Sequence, residues 1–274
     1  VLGATTVGGT FSGTATTGDI TDSGTLTITG AAIFKTRVDG SNIVLDSSSN
    51  AFSAAVTMIA DAGGEDFGNI TFVDSAGVDL DTSASADGDL FINAGTDGAV
   101  GGNLSITATT GNITQVVALA VTGTSSFTTS ASNATIDLST VTTNAFSSAV
   151  TLSTTGSSAN VTIDGGTTAL ILAASSVGGN LTLLDGNASG ITDTGTITVG
   201  GNLSATTDAG SGVITLDTLA VTGTIALATN SGGAATVVNA SGLNLATSTL
   251  TGTFSGTATT GDIADAGTLT ITGA

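Results

Sequence analysis

The sequence predicts an all-β protein: a parallel β-solenoid of about 12 coils of roughly 21–24 residues, with no helical domain. Three observations predict it. One spacing of apolar residues recurs five times, equivalent residues lie 21 or 22 apart, and the 274 residues contain no proline.

The spacing is apolar, five residues, apolar, one residue, apolar, one residue, Gly. It reads Ile20, Leu26, Ile28, Gly30, and again Ile113, Leu119, Val121, Gly123. It returns as Ile191, Ile197, Val199, Gly201, then Val213, Leu219, Val221, Gly223, and last Ile263, Leu269, Ile271, Gly273. The apolar-x-apolar step has the period of a half-buried strand. The Gly that follows is expected to turn a corner with positive φ. The next piece, such as GNLSI at 102–106 or GTSSF at 123–127, reads as another short strand. Strand, corner, strand, corner describes a coil.

The coil length follows from equivalent points. Val7 to Ile28 and Val100 to Val121 each span 21 residues; Val177 to Val199 and Val199 to Val221 each span 22. Ile28 to Val100 spans 72 residues, which reads as three longer coils. Helical repeats of this size would need a 3.6-residue period and helix formers, whereas Thr, Val and Gly dominate here. Missing proline agrees, because an internal strand donates to a ladder on one side and accepts on the other.

Longer periods overlie the coil. GTFSGTATTGDITDSGTLTITGA at 9–31 returns at 252–274, differing only as Thr21 against Ala264 and Ser23 against Ala266, a period of 243 residues. Segments 42–127 and 133–227 read as diverged duplicates: Asn50-Ala-Phe-Ser is echoed by Asn144-Ala-Phe-Ser, and Val100-Gly-Gly-Asn-Leu by Val177-Gly-Gly-Asn-Leu. No linker interrupts the chain, so 1–274 reads as one continuous solenoid, a matured product or an excerpt of a longer array.

Composition narrows the function. With 21 acidic and two basic residues, the net charge of −19 repels nucleic acid and anionic lipid surfaces. No apolar run reaches the roughly 18 residues of a spanning helix. Only 8 % of residues are charged, so Thr, Ser, Asn and Gly form the solubilising surface. His, Cys, Tyr and Trp are absent, which argues against an enzyme. Carboxylates are the remaining catalytic option, but nothing fixes a pair among Asp79, Asp81, Asp87 and Asp89.

At VGGNLSI (100–106), GNITQ (111–115), LAVTGT (119–124) and VGGNLTL (177–183), the text resembles the repeats of filamentous haemagglutinin-like and autotransporter-type adhesins. The resemblance implies a right-handed parallel β-helix exposed outside a cell.

Candidate sites are few. No cofactor is expected; a structural calcium is the alternative, since Asp22, Asp193 and Asp265 recur at one position of the repeat. The outward residues Thr25, Thr27, Thr29 and Thr268, Thr270, Thr272 resemble an ice-binding face, or simply good exposed strand residues. Nine Asn-x-Ser/Thr sequons, among them Asn103, Asn112, Asn180 and Asn202, are acceptors for sugar if the producer glycosylates them. Lys35 and Arg37, the only cations, are the candidate inter-rod or inter-segment contact, against a local pairing with Asp39. The expected role is a structural segment of an extracellular filament, sheath or matrix fibre whose partner is itself, end to end and laterally. The alternatives are a surface adhesin stalk that binds a cell surface or glycan, and an ice-binding protein.

Overall fold

The computed structural model describes residues 1–60, 68–80, 89–92, 99–208 and 210–273. Among them there is no helix, and the strands pair in parallel. The chain winds a solenoid of about 11 turns, close to the 12 expected. Each turn carries three short strands, so the rod has three faces.

The first face stacks Thr5–Val7, Leu26–Ile28, Ala51–Phe52, Val78–Leu80, Ile113–Gln115, Ile136–Leu138, Val161–Asp164, Leu181–Asp185, Leu203–Thr207, Ile225–Ala228, Ser248–Leu250 and Leu269–Ile271. The second takes Phe11–Ala15, Ala32–Thr36, Val56–Ala60, Asp89–Ile92 with Ala99–Val100, Ala120–Val121, Ala145–Phe146, Leu170–Leu172, Ile191–Asp193, the first half of Ile214–Val221, Ala235–Asn239 and Phe254–Ala258. The third takes Ile20–Thr21, Ile43–Leu45, Ile70–Asp74, Leu104–Ala108, Ser125–Ser132, Val150–Thr155, Ser175–Val177, Ile197–Val199, the second half of Ile214–Val221, Leu243–Leu245 and Ile263–Asp265. Among the described residues three breaks interrupt the columns: on the first face between Phe52 and Val78, on the second between Phe146 and Leu170, where the bridge Ala145 to Gly166 is antiparallel, and on the third between Val221 and Leu243.

Inward positions are filled by Val, Leu, Ile and Phe, each worth roughly 1.5–3 kcal/mol when buried. Phenylalanines stack in two places: Phe11, Phe34, Phe52 and Phe72 follow one another at 5.1, 6.1 and 5.2 Å between ring centres, and Phe127 lies 6.2 Å from Phe146. Tilted and edge contacts of this kind are the favoured geometries.

Three expectations are corrected. The 72 residues from Ile28 to Val100 are not a whole number of coils, because Ile28 lies on the first face and Val100 on the second. In the fourth copy of the spacing, Ile214 rather than Val213 pairs with Ile191, and the strand bends straight on to Val221 with one residue fewer. The corner glycines Gly30, Gly123, Gly201 and Gly223 do not have positive φ. They are required by close approach: a Cβ on Gly30 would lie 2.5 Å from the Gly9 carbonyl carbon, and one on Gly223 2.3 Å from Asn202 Oδ1. Glycine stacks on glycine because each coil rests backbone on backbone there.

Candidate functional site

The functional surfaces are the contacts by which one coil holds the next. The recurring Asp of the repeat is one of them. Asp22 accepts hydrogen bonds from the backbone N–H of Asp46 (3.0 Å) and Ser47 (3.3 Å) and from Asn50 Nδ2 (2.7 Å), all in the following coil. Asp193 accepts from the N–H of Asp217 (3.1 Å) and from the N–H and hydroxyl of Thr218 (3.0 and 2.7 Å). Both carboxylates clamp coil to coil. Asp265 holds the same place in 252–273, where it pairs in register with Leu245.

Asparagines form a second device. An Asn or Asp stands immediately before many strands, and its Oδ1 accepts the N–H of its counterpart one coil on. One series runs Asp19, Asn42, Asn69, Asn103, Thr124, and another Asn160, Asn180, Asn202, Thr224, with distances of 2.8–2.9 Å. All nine sequon asparagines use their side chains in hydrogen bonds; Asn112, Asn133, Asn187 and Asn239 do so outside these two series. The motif GNLS or GNLT is therefore explained by the ladder. Its signal in the sequence is the Asn directly preceding each strand.

A third device closes several corners, and in one coil a buried carboxyl stands in its place. Inward-facing Thr154 donates its hydroxyl to the carbonyl of Ala159 (3.0 Å), Thr207 to Gly212 (2.9 Å) and Thr129 to Ala134 (3.2 Å), each five residues on. Asp185 pairs in register with Thr207 and holds this position in its own coil. It is 2 % exposed, and neither carboxylate oxygen has a hydrogen-bond partner. A carboxylate cannot donate to a corner carbonyl; a protonated carboxyl can. Burial, only weakly opposed by the nearby Asn187 N–H, which does not reach hydrogen-bond geometry, and reinforced by the nearby charges of Asp164 and Asp208, pushes its pKa up to about 7. Burial also raises Asp74, whose Oδ1 accepts the Phe52 N–H, and Asp164, which accepts the Gly166 N–H.

The remaining candidates are not brought together. Lys35 lies half-buried on the outward side of the second face between Thr14 and Ile59, and Arg37 is exposed just past the strand end. Asp79 accepts the Thr114 hydroxyl (2.9 Å); Asp81, Asp87 and the side chain of Asp89 lie outside the described residues. Among the described residues no group of three acidic side chains is placed to hold a metal ion. A groove of about 530 Å³ at the break in the first face is lined by Phe52, Ser53, Ala76, Gly77, Val78, Asp79, Asn112 and Thr114. Thr27 and Thr270, the middle residues of the two threonine rows, both lie on the first face.

One family matches the sequence, repeats of unknown function (DUF5649), over 1–59, 67–153, 158–228 and 232–274. The chain belongs to this family. No curated protein is similar to it. No solved structure is similar either.

The boundaries of the DUF5649 repeats coincide with a structural event. Longer strands, mostly of five residues, occupy the second face in 1–59, the third in 67–153, the first in 158–228 and the second again in 232–274. At each boundary one extra strand enters the winding: Ile70–Asp74, Val161–Asp164 and Ala235–Asn239. Every such strand ends in a buried Asp or Asn, namely Asp74, Asp164 and Asn239. The duplicates noted in the sequence are thus each rotated by one face: Ile43–Leu45 is on the third and Ile136–Leu138 on the first. Three shifts close the circuit. Phe254–Ala258 returns to the face of Phe11–Ala15 ten turns later, which is why the text repeats after 243 residues.

Proposed function

We propose that this chain is a structural segment of an extracellular filament, sheath or matrix fibre. The observation that carries the reading is the closure of the winding: 252–273 stands on the same faces as 9–31, so the pattern continues with no change of register. The parallel ladder, the glycine stacks and the Asp and Asn clamps all act between coils, and a rod that works mechanically depends on such contacts. The resemblance to adhesin repeats supports placement outside a cell, as a fibre in its own right or as the stalk of a surface adhesin.

Electron microscopy of the native material tests the reading. Long uniform fibres are expected, with an axial repeat of about 48 Å from ten turns at about 4.8 Å each. Discrete short rods on a cell surface would favour the stalk, and compact particles would overturn both. The mass of the denatured polypeptide separates covalent arrays from stacked chains.

A further inference from the structure

We infer that the groove at the break in the first face is a binding site for a neutral saccharide. The site lies beyond the filament reading and serves a fibre or a stalk alike.

The breaks among the described residues share one construction, and the first departs from it. At each, the broken column ends on Phe52, Phe146 or Val221. The chain that returns over it donates a backbone N–H to the carbonyl two residues before that end: Ser75 to Asn50 (2.7 Å), Thr167 to Asn144 (2.7 Å) and Ala240 to Leu219 (2.8 Å). Three residues on, the next strand begins at Val78, Leu170 or Leu243. The residue after the donating N–H covers the last carbonyl of the broken strand. Thr168 donates its hydroxyl to the Phe146 carbonyl (3.0 Å), and Ser241 donates to that of Val221 (3.3 Å), where Asn239 Nδ2 also donates (3.0 Å). At the first break this residue is Ala76, whose methyl group offers the Phe52 carbonyl no donor. The groove of about 530 Å³ opens at that place, lined by Phe52 and Ala76 together. The missing hydroxyl and the cavity coincide.

The polar lining selects the ligand. A volume of this size is that of an ordinary small-molecule site. Asp79 Oδ1 takes the Thr114 hydroxyl (2.9 Å), which leaves Oδ2 as an acceptor beside the Phe52 carbonyl. Asn112 Oδ1 takes the Thr135 N–H (2.8 Å), which leaves Nδ2 as a donor. An anion is repelled by Asp79 and by the net charge of −19. An ammonium group satisfies the acceptors and has nothing to accept from Asn112. A sugar hydroxyl donates and accepts at once, and the C–H groups of a pyranose suit the exposed methyl of Ala76.

Titration of the isotope-labelled full chain with neutral trisaccharides of glucose, galactose, mannose and N-acetylglucosamine tests the site. At least one is expected to shift the amide resonances of Gly77, Asp79 and Thr114 in a saturable way. Ala76→Thr supplies the hydroxyl found at the second break and fills the groove. It is expected to keep the parent melting temperature or raise it, and to weaken that binding by about tenfold or more. Asp79→Asn, which keeps the shape and loses the charge, is expected to weaken it too and decides the matter should Ala76→Thr fail to fold. Thr168→Ser keeps its hydroxyl at the second break and is expected to bind as the parent does. Four results overturn the site: no trisaccharide of the set moves these resonances, a folded Ala76→Thr or Asp79→Asn binds at full strength, Thr168→Ser weakens binding as much as Ala76→Thr, or butylammonium gives the saturable shifts and the sugars do not. None of these bears on the filament reading, because fibre form and axial repeat under the microscope do not depend on the groove.

Discussion

Two coils of nearly one sequence meet different fates in this rod. In 9–31 the residues Ile20, Leu26 and Ile28 are buried under the next coil; in 252–273 their equivalents Ile263 and Ile271 are open to solvent and Leu269 is only partly covered. Local sequence fixes the strand and which way each side chain points. Burial is decided by the neighbour. Stability in such a rod is therefore a sum of coil-to-coil interfaces, and a residue matters in proportion to how many of its two sides are occupied.

The largest expected effect breaks that comparison directly. Ile28→Ala removes a fully buried side chain and should cost about 2–5 kcal/mol, read as a lower urea midpoint or as faster hydrogen exchange in 5–52. Ile271→Ala, one-sided, should cost less than about 1 kcal/mol by the same measurements. Equal losses at the two positions would mean that 252–273 is covered in solution.

Much of this architecture is legible in the sequence, for a physical reason. Period-2 alternation, glycine at backbone contacts and the lack of proline each follow from a parallel ladder. The walk of the longer strand around the faces is not legible, because an inserted strand such as Ile70–Asp74 has the same composition as any other. Only pairing reveals on which face it lies. The clamps were half-visible: the recurrence of Asp22 and Asp193 reads equally as a cation ladder until their N–H partners are known. Asp185 is hidden in the sequence, since a single Asp at a threonine position reads as a solvated side chain until its burial is known.

A second comparison, between coils with Thr154 or Thr207 and the coil with Asp185, yields a pH dependence. The folded Asp185 titrates near 7, above its ordinary value of 3.8. Between these limits the folded chain retains a proton that the unfolded chain has lost, so stability falls as pH rises through the window and levels off above it. Across that window the loss is about 4 kcal/mol at most. The raised Asp74 and Asp164 act in the same direction. Asp185→Thr supplies the hydroxyl donor of the sister coils and should raise stability by about 2–4 kcal/mol at pH 8, with little gain near pH 4. Thermal melts of both chains at the two pH values check this; an equal effect at both would show that burial does not raise the carboxyl above its ordinary value.

The smallest effect separates the clamp from the cation reading. Asp22→Ala removes the acceptor of three hydrogen bonds and should cost about 1–3 kcal/mol, with calcium or a chelator making no difference to the melt of the parent chain. Asp265→Ala, with no coil above it, should leave the monomer unchanged. Loss at Asp22 and Asp265 alike in a sample shown to be monomeric would mean that the carboxylate serves its own coil, because only then would it act where no neighbour exists.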